Sequence, residues 1–135
     1  MHSPEDLTDF TSKIASSADL CLKPWRHSVI SIYSPRDLNT FYNGSIDLRF
    51  RIECRSLEGI RNCSNDLELE IYQSGKELNI IFTWINQTDK PLLWHGGHAV
   101  WMDSNTGQRI RAPLDGNSLE SLARRLRSLV IRPEE

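Results

Sequence analysis

The residues with the most evident chemical potential are His95 and His98, which flank Gly96-Gly97. Two imidazoles on either side of a tight turn can ligate a divalent metal, with Asp103, His27 or a cysteine completing the set. The pattern has no HExxH and no second Cys/His pair at metal spacing, so two turn-flanking histidines are the simpler reading. A third reading is a coupled pair: adjacent imidazoles resist double protonation and titrate in steps in the mildly acidic range.

Nucleophilic chemistry finds less support. Cys54 falls on the apolar side of an alternating run, which suits a buried, inert thiol. Cys63 lies in a polar stretch with no assignable base. There is no Gly-x-Ser-x-Gly elbow and no glycine-rich phosphate cradle. The carboxylate pair Glu68 and Glu70 alternates with apolar residues and reads as solvated surface. No catalytic residue, cofactor or bound metal is therefore assigned.

Two residue types point to binding instead. Arg109, Arg111, Arg124, Arg125, Arg127 and Arg132 make the last quarter of the chain basic. Near Trp101 they could grip phosphates or stack on bases, but no RNA-binding aromatic motif accompanies them. The alternative is a solvated helix face and a charged edge strand. Trp84 reads as core. Trp94 and Trp101 can be core or can anchor a partner, since aromatics and arginine concentrate binding energy at interfaces.

These residues need a frame. Leu7, Phe10, Ile14 and Ala18 recur at spacings of three and four, predicting a helix over 4–18 capped by Ser3 and opened by Pro4. The β-branched run 28–33 predicts a strand, followed by turns at 34–37 and 42–44. Residues 46–54 alternate strictly, with Ile46, Leu48, Phe50, Ile52 and Cys54 on one side and Asp47, Arg49, Arg51 and Glu53 on the other. Residues 66–73 repeat the pattern, so neighbouring strands would set Arg49 and Arg51 against Glu68 and Glu70. Residues 78–85 are apolar on both sides, as in a central strand.

Leu92 to Trp101 has the form of a hairpin with a two-residue Gly-Gly turn at positive φ. That register opposes His95 to His98 and Leu92 to Trp101. It puts Trp94, Ala99, Leu92 and Trp101 on one face and the histidines on the other with Leu93 and Val100. A short edge strand spans 108–111. Asn117 and Glu120 form a capping-box pattern ahead of a helix with Leu119, Leu122, Leu126, Leu129 and Val130 as its apolar stripe. Arg124, Arg125 and Arg127 fall on its outer side.

The order helix, six or seven short strands, helix predicts an α+β fold: an antiparallel sheet of five to seven strands with both terminal helices on one face. A β-sandwich with helical appendages is the alternative. The 135 residues suit one domain, 1–135. Hydrophobic residues at 39 %, charged residues at 25 % and a net charge of −2 fit a soluble globular protein and disfavour a nucleic-acid-coating role. No apolar run reaches transmembrane length. The acidic N-terminus lacks a signal-peptide core, and the three cysteines (an odd number without CxxC spacing) read as reduced thiols, which together predict a cytoplasmic protein. A Cys54–Cys63 bridge would form only in an oxidising compartment. The expectation is a non-catalytic binding, assembly or chaperone-type protein with a protein partner or a second copy of itself. Trp94, Trp101, Arg109, Arg111, Arg124, Arg125 and Arg127 are its contact candidates. A metal protein centred on His95 and His98, and nucleic-acid binding through the C-terminal arginines, are the alternatives.

Overall fold

A computed structural model describes residues 7–33 and 48–130. The expected Ser3 cap, Pro4, the turns at 34–37 and 42–44, Ile46 with Asp47, and the tail containing Arg132 lie outside the described residues. The elements are α1 (Leu7–Cys21), β1 (Arg26–Tyr33), β2 (Leu48–Arg55), β3 (Leu67–Ser74), β4 (Glu77–Trp84), β5 (Leu92–His95), β6 (Ala99–Met102), β7 (Arg109–Ile110) and α2 (Asn117–Val130). A short 3-10 turn, Cys63–Asn65, precedes β3. The seven strands form one antiparallel sheet in sequence order, β1 to β7. This is the α+β architecture, and among the described residues one sheet stands where the sandwich alternative needs two.

The side-chain period of two dictates the core. Leu48, Phe50, Ile52 and Cys54 of β2 are buried together with Leu67, Leu69 and Ile71 of β3 and Ile80 and Phe82 of β4. Phe10, Ile14 and Ala18 of α1, and Leu119, Leu122, Leu126 and Val130 of α2, cover that same face. Phe10 meets Phe50 edge to face, with ring centroids 5.8 Å apart. On the opposite, open face the expected charge register is present: Arg49 pairs with Glu70 and Arg51 with Glu68. Arg49 Nη2 donates to Glu70 Oε2 at 3.4 Å. So exposed a pair favours the register by at most about 1 kcal/mol. Gly75, at φ 63°, opens the two-residue turn between Ser74 and Glu77, a conformation that β-carbons resist.

Several expectations need correction. The first helix continues to Cys21, three residues beyond the predicted end, because nothing breaks it before Pro24. β4 is central in strand order, but its second face is only half covered at Ile81 and Thr83. Trp84 is half-buried against the core rather than inside it. The hairpin turn is one residue longer than predicted. Leu92 pairs with Met102, Leu93 with Trp101, Trp94 with Val100 and His95 with Ala99, leaving Gly96, Gly97 and His98 as the loop. Positive φ among the described glycines occurs at Gly59, Gly75 and Gly107, not at Gly96 or Gly97. The capping box is also absent in the predicted form. The Glu120 N–H donates to the Gly116 carbonyl, and its carboxylate is engaged elsewhere.

The packing predicts a sharp contrast. Phe50→Ala, which empties the contact with Phe10, should cost about 3–5 kcal/mol in denaturant unfolding. Lys76→Ala, in the exposed β3–β4 turn, should stay within about 0.5 kcal/mol.

Candidate functional site

The one-residue shift in the hairpin re-sorts the candidate residues. His95 now faces the core with Leu93, Ala99 and Trp101, and Trp94 faces outward with Leu92, Val100 and Met102. The two tryptophans expected on one face are on opposite faces, and the two histidines do not face each other. Trp101 is 4 % exposed, and its indole N–H donates to Glu120 Oε2 at 2.7 Å. A β-carbon at Gly116 would come within 2.8 Å of Trp101 Cζ2, so the glycine lets the start of α2 lie on the ring. Trp101, expected as a possible partner anchor, is a buried core residue that seats α2.

Arg127 is the largest departure. Expected on the outer side of α2, it turns toward the sheet. The two N–H groups of its Nη2 are shared among the carbonyls of Leu78 at 2.8 Å, His95 at 2.8 Å and Gly96 at 2.6 Å. These groups belong to the start of β4 and the end of β5, so one side chain locks α2 onto two strands. The same nitrogen lies 3.2 Å from His95 Nδ1. His95 is 7 % exposed. Burial, with the Arg127 and Arg124 charges, pushes its pKa down against the opposing pull of Glu120. His95 is thus a structural imidazole whose neutral form the fold favours. His98 is exposed in the loop, 3.5 Å from Arg109 Nη2.

What remains on the surface is compact. Trp94 is 38 % exposed on the open face, and its indole N–H donates to Asn79 Oδ1 at 2.9 Å. Asn79 is itself buried and its amide donates at 3.4 Å to the Glu77 carbonyl. The ring is therefore fixed in orientation with its polar atom already satisfied, and it offers an apolar surface. Trp94, Val100, Met102, His98, Gly107 and Arg109 line a shallow depression. Arg109 arrives there because it pairs with Met102 across β6 and β7. Arg111, Arg124 and Arg125 are exposed but do not line it. Asn79 was missed in the sequence. Its signal was a lone amide inside the apolar run LNIIF.

A second buried charge also escaped notice. Asp66 accepts from both guanidinium nitrogens of Arg61, at 2.9 and 2.8 Å, and from the Cys54 backbone N–H at 2.9 Å. Arg61 Nη1 also donates to the Cys54 carbonyl at 3.0 Å. Together they clip the 56–65 loop between β2 and β3. Burial alone would raise the Asp66 carboxyl, but the Arg61 guanidinium and the Cys54 N–H hold it below the usual carboxylate range. Burial first, and then Asp66, push the Cys54 thiol up, which keeps it protonated and unreactive. Cys21, Cys54 and Cys63 are all unpaired thiols. Among the described residues no group of three His, Cys, Asp or Glu side chains is arranged to hold a metal ion. No described helix is long and apolar enough to cross a membrane.

Two pH effects follow, with opposite chemistry and the same sign. The folded state depresses the His95 pKa, so the unfolded chain takes up the proton first as pH falls through 6.5, and stability declines there. His95→Gln should flatten the urea midpoint between pH 7.5 and 5.5. Asp66 is likewise depressed from 3.8, so its contribution is present above that value and is lost as pH falls through its folded pKa. Asp66→Asn should remove this acid segment of the stability profile. It should also destabilise the protein at pH 7, by about 1–3 kcal/mol, since a buried charged hydrogen-bond network is disrupted.

Comparison with known proteins gives one match. A family described as a domain of unknown function (DUF8659) matches residues 11–129. No curated protein matches the chain, and no solved structure does. The matched span runs from α1 through the sheet to the last turn of α2, and so takes in the Arg127 lock and the surface around Trp94. The chain belongs to the DUF8659 family.

Proposed function

We propose that this is a non-catalytic binding protein, of assembly-factor or chaperone type, which docks another protein on the open sheet face around Trp94. The observation that carries the reading is the state of Trp94. A large indole is left at the surface, yet it is oriented by a hydrogen bond to a buried amide. Ordering it has already been achieved in the fold, so a partner would lose little side-chain entropy on contact. Val100 and Met102 extend the apolar surface, and Arg109 adds a cation at the rim. Aromatic, methionine and arginine side chains are the types enriched in interface centres. Arg109 further favours a partner segment with an acidic residue beside its apolar anchor. A cytoplasmic site of action agrees with the three free thiols. A second copy of the chain is the other occupant this surface would accept.

The test is affinity capture from the native cell, with crosslinking, using the wild type and folded Trp94→Ala and Arg109→Glu variants. A partner retained by the wild type should be lost at least tenfold in each variant, and it should persist in Arg124→Ala/Arg125→Ala. Equal retention in all four proteins would reject this surface. Concentration-dependent mass in light scattering, abolished by Trp94→Ala, would identify the partner as a second copy.

A further inference from the structure

At the other end of the strands, on the helix-covered side, the two helices leave a groove. It lies where α1 runs out into β1, β2 and β4 end, and α2 begins. Its two adjoining hollows are about 230 and 140 Å³. Trp84, Lys90, Asp115 and Leu119 line both of them. Trp25 and His27 border the first and Trp101 the second. Three of the four tryptophans of the chain thus meet at one opening, where core packing alone accounts for Trp101.

The polar groups there are set up for a ligand. The His27 side chain is 2 % exposed, and its Nδ1 lies 3.0 Å from Asp19 Oδ1. A carboxylate only accepts, so Nδ1 carries a proton and the Asp19 contact holds the ring in place. The Lys90 ammonium lies 4.4 Å over the Trp84 ring. It has no carboxylate partner among the described residues, so a cation rests on an indole face without an anion. Lys23 adds a second cation at the rim, against Asp115 as the acidic residue. Indole walls favour a flat body, and unneutralised ammonium groups favour an anion.

We infer that this groove binds a small aromatic acid. The ring lies against Trp25, and the acid group pairs with Lys90 over the Trp84 ring and with Lys23 at the rim. The site is separate from the surface around Trp94, so each can fail without the other.

Two fluorescent probes test it, 8-anilinonaphthalene-1-sulfonate and its neutral relative N-phenyl-1-naphthylamine. The folded wild type should bind the sulfonate saturably at one site, with quenching of tryptophan emission. Lys90→Met should weaken the sulfonate at least fivefold and change the neutral probe less than twofold. Lys23→Glu should act in the same direction and serves if Lys90→Met loses its native circular dichroism. Trp94→Ala should leave both affinities unchanged. Absence of saturable binding to the folded protein would overturn the inference. So would equal sulfonate affinity in the wild type and the lysine variants, or loss of the site in Trp94→Ala.

Discussion

Helices cover one face of the sheet among the described residues, and that asymmetry governs the molecule. Side chains of a strand point alternately to the two faces, so every residue is assigned to core or surface by its register. Along β2 and β3 this produces an apolar floor beneath α1 and α2 and a charged lattice of Arg49, Arg51, Glu68 and Glu70 on the other side. The period is strict. One added residue in a turn transfers every following side chain to the opposite face, as happens at Gly96–His98.

The attachment of α2 is the second determinant. Its leucine stripe gives the helix a direction to bury but no unique position along the sheet. Two polar contacts supply that position. Near its start, the Trp101 indole bonds Glu120 over a glycine that admits the ring. Near its end, Arg127 gathers carbonyls from β4 and β5. Such contacts add modest net energy because the partners are also desolvated, but leaving any one unpaired is costly. They select one placement of the helix over its neighbours. Pinning α2 at both ends also shapes the groove between its start and the end of α1.

The two candidate surfaces differ in kind. The depression around Trp94 is open, apolar and rigid, and it suits a macromolecular partner. The groove around Trp84 is recessed, with a buried imidazole and two lysine ammonium groups at its edge, and it suits a small charged ligand. Polar side chains inside the fold support both: Asn79 orients the exposed indole, and Asp19 holds the His27 ring. The residues that face a partner are therefore held by residues that do not.

The amino-acid sequence by itself determined the α+β class, the element order, the buried stripe of α2 and the faces of β2 and β3. Each of these rests on local periodicity, which strands and helices impose wherever they form. The pairing of Arg49 with Glu70 was also legible, because alternating strands joined in sequence tend to be neighbours. Tertiary structure alone decided the hairpin register, since both a two-residue and a three-residue loop fit LLWHGGHAVW. It also decided that Arg127 turns inward while Arg124 and Arg125 do not. An arginine at the edge of an apolar stripe can reach water or reach buried carbonyls, and the choice depends on whether strands far away in sequence present those carbonyls within its span. The groove follows the same rule. Trp25, His27, Trp84 and Lys90 are scattered along the chain, and no spacing links them until the sheet aligns its strand ends.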